Sequence, residues 1–244
     1  MQIELDVHTH TIASGHAYGT IAEMAKEAAE KGLKLLGMTE HTKGIPGTCE
    51  DIYFMNLGVV PRNLYGIQLM LGAETNILDY DGTVSLGDSY KHNLDIRIAG
   101  IHDFCYKFGT IKENTSAIVG AIRNPYIDII CHPDDGNCPV EYEKIVWEAK
   151  EHHTLLEVNN NSLRSRHRKN TVENSLRMLE LCKEYKVPIL LSSDAHFMND
   201  IANFDHAMPV IEQAAFPHEL ILNYSADKFR SFININRERE RELE

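Results

Sequence analysis

Positive charge is scarce in this chain: 24 Lys and Arg stand against 36 Asp and Glu, a formal net charge of −12. A broad nucleic-acid surface needs clustered Lys and Arg, so a nucleic-acid partner is not expected. A small anionic substrate stays open, because surface charge is screened beyond ~8–10 Å while a bound cation acts locally. Long apolar runs are missing too. No stretch approaches the ~20 residues of a membrane helix, and the N-terminus has no basic, apolar leader, so a cytoplasmic protein without a membrane partner is expected. The five cysteines, Cys49, Cys105, Cys131, Cys138 and Cys182, are odd in number, scattered and free of Cys-x-x-Cys spacing. They read as reduced thiols. Repeats, low-complexity tracts and linkers are absent, which makes residues 1–244 one expected domain.

What the chain does have is a rhythm. Its 43% hydrophobic and 25% charged content are ordinary for a globular protein, and 244 residues suit one α/β-barrel domain. Short apolar runs at 3–7, 33–38, 67–73, 95–101, 127–131, 154–158 and 189–193 each read as a buried strand. Amphipathic stretches follow them. Thr20 and Glu23 form a capping box before a face of Ile21, Met24, Ala25 and Ala28. Pro139 suits a first helical position before Tyr142, Ile145, Val146 and Ala149. Asn170 with Glu173 opens another helix, with Val172, Leu176, Leu179 and Lys183 on one face. Seven strand-then-helix units imply a parallel sheet, and curling that sheet shut gives a distorted (βα)7 relative of the TIM barrel.

Nine residues of ligand type stand at or just past the strand ends: His8, His10, His16, His41, Glu74, His102, His132, Asp194 and His196. Seven of the thirteen histidines thus gather at one rim. Residues two apart in a strand share a side, so His8 and His10 can share an ion. Nine ligands exceed what one tetrahedral ion takes, and two or three ions are implied. Imidazole with few carboxylates suits Zn²⁺, and also Fe²⁺ or Mn²⁺. Three divalent ions against Glu74 and Asp194 would leave about +4, a charge that draws in phosphate and activates water as hydroxide. Cys131, one residue before His132, is expected on the opposite side of its strand, in the core. Asp6 is read as a support beneath His8 or as a salt-bridged barrel carboxylate. The other histidines, His92, His152, His153, His167, His206 and His218, read as surface residues.

The order His-x-His, separate His, acidic-His, Glu, His, His-Pro, Asp-x-His resembles that of the PHP (polymerase and histidinol phosphatase) superfamily. The words DVHTHTIASGHAYGTI, FMNLGVVPR, GAETNI, IAGIH, ICHP, LEVNNNS and SSDAH are similar to its YcdX-type phosphatase branch over essentially the full length. Glu40 departs from relatives that carry Asp before the histidine. The resemblance implies a trinuclear site. His8, His10, Glu74 and Asp194 would hold one ion, His16, His41 and His196 a second, and Glu74, His102 and His132 a third. Glu74, Asp194 and His196 would carry catalysis through those ions, the substrate being a small phosphomonoester. A homo-oligomer, a trimer in relatives, is a further implication.

Arg166, in Ser165-Arg166-His167-Arg168, could hold phosphate oxygens bidentately, or it belongs to a solvated basic loop. Asn159 is a candidate substrate donor or a support for the ligands. Residues 42–66 form a long connection that is either a lid or a helix covering the barrel end. The Arg/Glu run at 237–242 is read as a solvated, fraying helix end. Rival functions are a histidinol-phosphate phosphatase and a phosphodiesterase or nuclease of the same superfamily. An amidohydrolase would need a bridging lysine where this chain has His102. A metal-binding regulatory module is the non-enzymatic alternative.

Overall fold

The structure is a computed structural model that describes residues 2–243, so Met1 and Glu244 lie outside the described residues. In chain order the elements are β1 (Leu5–Asp6), α1 (Ile21–Glu30), β2 (Leu35–His41), α2 (Asp51–Met55), β3 (Asn63–Leu64), β4 (Ile67–Asn76), β5 (Ile96–Gly100), α3 (Ile111–Arg123) and β6 (Ile129–Ile130). After them come α4 (Tyr142–His152), β7 (Leu155–Asn159), α5 (Asn160–Arg164), α6 (Thr171–Tyr185), β8 (Ile189–Ser192), α7 (Ala207–Gln213) and α8 (Ala226–Leu243). The capping box of Thr20 and Glu23 opens α1, and a matching one from Thr110 and Glu113 opens α3.

Seven strands pair in parallel in the order β1-β2-β4-β5-β6-β7-β8, each expected run supplying one of them. The short β3 adds an antiparallel edge to β4. The first and last strands meet at the rim, where Thr9 bridges Ala195 and the His10 amide donates to the Ala195 carbonyl at 2.9 Å. Lower down the seam is sealed by a side chain. Asn223 donates to the carbonyls of Leu5 (3.1 Å) and Leu191 (2.7 Å) and accepts the Leu191 amide (2.7 Å), doing the work of a missing strand. The result is a distorted seven-stranded (βα) barrel.

Alternation sorts the strand residues. Leu5, Val7, Leu35, Met70, Ile96, Ile98, Ile129, Cys131, Leu155 and Leu190 fill the barrel together with Phe229, Phe232 and Ile233 of α8, which plugs its lower end. The opposite strand faces pack under the helices, as with Leu36, Met38, Leu69 and Leu71 beneath α1. Inward residues further up β2, β4, β7 and β8 are polar, and they form the site. Among the described residues, no helix is long and apolar enough to cross a membrane.

Four expectations change. The tail does not fray at 237–240: Glu240 is buried and pairs with Arg97 at 2.5 Å, while Arg237 reaches Asp128 at 2.6 Å. Arg97 and Asp128 are buried at the barrel's lower end, and the charged tail closes over them. Pro139 does not open α4, which begins at Tyr142 behind Glu141, whose amide donates to Thr115. Asn170 makes no side-chain cap and sits at φ 52°, and α6 buries Thr171, Ser175, Met178 and Cys182, with Val172 exposed. Buried Asp134 lies within reach of the Ser175 hydroxyl, so a polar stripe faces inward. Among the described residues Asp6 makes no salt bridge; it accepts from Ser193 and from the Ala202 amide, which ties β1 to the chain after β8. In the 42–66 connection, Phe54 and Leu57 bury against the α1 layer and Phe54 stacks on Tyr90 at 4.8 Å.

Candidate metal centre

Glu74 is the hub. It stands on the inward face of β4, 1% exposed, opposite His41 in the β2 register. Its Oε1 lies 3.0 Å from His102 Nε2 and 2.9 Å from His132 Nε2. Its Oε2 faces His41 Nδ1 at 2.8 Å, His8 Nε2 at 3.3 Å and His10 Nε2 at 3.4 Å. Asp194 Oδ1 sits 3.3 Å from His10 Nε2 and 3.6 Å from His8 Nε2. All nine expected ligands therefore converge: His16 joins through its Nε2, 3.0 Å from His196 Nε2, and its ring stacks on His41 at 5.0 Å.

The protons of four imidazoles can be assigned from their partners. His8 Nδ1 meets the Glu157 carboxylate at 2.7 Å, His16 Nδ1 the Ser14 carbonyl at 3.1 Å, and His196 Nδ1 the Asp194 carbonyl at 3.0 Å. These partners only accept, so each Nδ1 carries the hydrogen. Ser14 gives its own hydrogen to Glu40, so His10 Nδ1 must donate to the Ser14 hydroxyl at 3.0 Å. In the neutral form of each ring, Nε2 then presents a lone pair. Two such lone pairs face each other at 3.1 Å between His8 and His10, and two more at 3.0 Å between His16 and His196.

Lone pairs this close repel unless a proton or a cation lies between them. Donors around a tetrahedral ion of ~2.0–2.1 Å bonds stand ~3.3 Å apart, within a few tenths of an ångström of the 3.1 and 3.0 Å seen here. His41 Nδ1 and Glu74 Oε2 lie 2.8 Å apart but out of line for a hydrogen bond, and neither has another partner, a costly arrangement that coordination would satisfy. The donor set fits divalent ions. Triads able to share an ion are His8–His10–Asp194, His10–His41–His196, His41–Glu74–His102 and His8–Glu74–Cys131; they overlap, so the cluster is continuous.

Electrostatics follow from the same crowding. Burial works to raise Glu74, but the charges of His41 and His8, with the His102 ring hydrogen-bonded to it, outweigh that and hold the carboxyl well below its usual range. Asp194 is likewise held well below, burial being overcome by His8, His10 and His196. Burial pushes His102 down to about 4.

Two of the expected ligands sit in left-handed backbone, His132 at φ 34° and Asp194 at φ 53°. Such strain is retained where the surroundings enforce it, typically at functional sites. It also explains why Cys131, a core residue as expected, does not point away from His132. The kink at His132 ends strand alternation, so Cys131 and His132 both face inward; Cys131 Sγ donates to Glu74 Oε1 at 3.2 Å.

One buried carboxylate escaped the sequence reading. Glu157 on β7 accepts from His8, from the His132 amide at 2.7 Å, from the Asn159 amide at 2.9 Å and from the Ser192 hydroxyl. An acidic residue two before Asn159 in an otherwise apolar run was the available signal. Glu40, one residue before His41, holds Thr11 and Ser14, and through Ser14 it orients His10. Asn159 is fully buried, donates to Glu157 and to Asp194 at 3.3 Å, and caps α5 through its oxygen. Asn159 thus supports Asp194 directly and the cluster floor through Glu157, with no face left to solvent. Arg166 is exposed in the bend after α5.

Comparison with known proteins gives the family of the chain. The PHP domain family matches residues 6–235. A probable phosphatase of Caldicellulosiruptor saccharolyticus is 45% identical over 236 residues, covering 97% of this chain and 98% of that one. One from Acetivibrio thermocellus is 39% identical over 241 residues, covering 99% of each. Among solved structures, histidinol phosphate phosphatase from Lactococcus lactis, complexed with zinc, L-histidinol and phosphate, superposes with a TM-score of 0.59 at 15% identity, over 88% of this chain and 94% of that one. A chain of archaeal ribonuclease P with mature tRNA gives 0.58 at 14%, over 95% and 90%. At those identities the two structures speak for the barrel alone. The family match and the full-length relatives carry further, and by them this chain belongs to the PHP domain family.

Proposed function

We propose that this chain is a metal-dependent phosphatase of small phosphomonoesters, with three divalent ions, zinc first and iron or manganese as alternatives. The observation that carries this reading is the set of imidazole lone pairs turned on one another around Glu74 and Asp194, with each opposite nitrogen committed as a donor. Full-length relatives named probable phosphatases support the reaction class. His8, His10, Glu74 and Asp194 would hold one ion, His16, His41 and His196 another, and Glu74, His102 and His132 a third. Bound there, such ions supply Lewis acidity, which neutralises phosphate and lowers the pKa of a water toward 7.

The chain's own residues do the rest. Glu157, Ser14 and Glu40 fix the tautomers of His8 and His10. Asn159 steadies Asp194, and Arg166 is free to meet phosphate oxygens arriving at the rim. Depth selects a small ester, since Glu74 and Asp194 are buried within the barrel. The test is phosphate release from a panel of phosphomonoesters beside cleavage of single-stranded oligonucleotides, each across a salt series. The reading expects the monoesters to turn over faster. Faster oligonucleotide cleavage, weakening steeply with salt, would replace it with a nuclease.

A further inference from the structure

We infer that Cys131 is a tenth donor in the cluster, binding the same ion as Glu74 and His132 through sulfur. The inference rests on the proposed metal site and adds a ligand that its imidazole-and-carboxylate pattern does not contain. Three atoms from three side chains form a small triangle: Cys131 Sγ lies 3.2 Å from Glu74 Oε1 and 3.4 Å from His132 Nε2, and those two are 2.9 Å apart. His102 Nε2 stands 3.0 Å from the same Glu74 oxygen. Donors of one four-coordinate ion, at ~2.0–2.1 Å for nitrogen and ~2.3 Å for sulfur, are spaced in this way.

Two further features are built around that sulfur. Cys131 is 1% exposed and faces into the barrel in alternation with Ile129, and the positive φ of His132 brings the His132 side chain to the same side. Directly across on β5 stands Gly100. A Cβ there would come within 2.5 Å of Cys131 Sγ and 2.6 Å of the His132 ring, so only glycine leaves room for both to reach Glu74. Glu74 itself is 1% exposed and aims an unpartnered Oε2 into the cluster.

Coordination would exchange the Sγ–H···Oε1 hydrogen bond for two bonds to the ion and release the thiol proton to solvent. With Glu74, His102 and His132, the sulfur completes a four-donor shell of two anionic and two neutral ligands, which balances a divalent charge. Thiolate is a soft donor, so this position favours Zn²⁺ or Co²⁺ over Mn²⁺. That ion would serve to pin Glu74, leaving open coordination to the ions nearer the mouth.

The experiment loads the full chain with Co²⁺ alone, and separately with Zn²⁺ alone. Cobalt protein should show a thiolate-to-cobalt charge-transfer absorption in the near ultraviolet. Cys131→Ser should lose that band, and Cys138→Ser should keep it. Serine can still donate to Glu74, so zinc affinity falling roughly 10-fold while manganese affinity holds would mark a ligand and not a hydrogen-bond donor. Zinc X-ray absorption on the unaltered chain should find a sulfur neighbour at about 2.3 Å, a reading that stands even if the variant fails to fold. Metal taken up with no sulfur neighbour, or a band that survives Cys131→Ser, would overturn the inference and leave the phosphatase reading intact. Failure to take up metal at all would overturn both.

Discussion

Glu157 and His8 are locked together at the floor of the cluster, Oε1 to Nδ1 at 2.7 Å, both fully out of reach of solvent. The carboxylate fixes the His8 tautomer and, through Oε2, also takes the backbone proton of the strained ligand His132. It therefore steers two of the nine cluster residues without belonging to the nine. Partners of this kind set ligand orientation and basicity.

Glu157→Gln should lower metal affinity by roughly 10–100-fold while leaving all nine ligands in the chain. Competition with a chromophoric chelator reads this directly. An unchanged affinity would mean that His8 is held by packing alone.

Glu74→Ala should cost more metal and more turnover than His16→Ala. The Glu74 carboxylate faces five imidazoles, from His8, His10, His41, His102 and His132. His16 is exposed at the mouth, with His196 beside it. Elemental analysis with steady-state rates compares the two variants. Equal losses would speak against a bridging role for Glu74.

At the other end of the barrel, Glu240→Ala should destabilise by about 3–5 kcal/mol, since it strips a partner from buried Arg97. Glu242→Ala, two residues on and exposed, should stay within about 0.5 kcal/mol. Urea unfolding of both variants makes the comparison, and similar midpoints would return the tail to solvent.

These two ends of the barrel show which features local sequence carries. The cluster of nine was legible because all but His16 stand at or just past the end of an apolar run, and seven strand ends at one rim leave few arrangements. Glu157 was not, since it lies inside a run whose period reads as plain strand. Cys131 was misread because alternation was carried through His132, whose backbone breaks it. The Arg/Glu tail looks solvated from its own letters. Its partners Arg97 and Asp128 lie over a hundred positions away, and only the closed barrel brings them together.

Stability of the chelator-stripped protein should peak near neutral pH. Burial holds His102 at about 4, against 6.5 for a free imidazole, and burial with His41 and His196 holds His10 well below. Between pH 6.5 and about 4 the unfolded chain binds protons that these two refuse, so stability falls as pH drops through that window. His8 runs the other way. Burial opposes its charge, but Glu157, Glu74 and Asp194 outweigh it and raise the imidazole well above its usual value. Its contribution is complete below 6.5 and fades as pH rises through the raised value. Thermal melts from pH 4 to 9 check this, and a steady rise across the range would contradict it.

The central claim is that this cluster is a multi-ion centre whose ions enable phosphate release. The measurement is metal content per chain, titrated against phosphate release from a small phosphomonoester, on protein purified without chelator, then stripped, then reloaded with Zn²⁺, Fe²⁺ or Mn²⁺. The account predicts two to three ions per chain, loss of phosphate release on stripping, and recovery that tracks reloading. One ion or fewer after supplementation, or phosphate release that survives stripping, would contradict it.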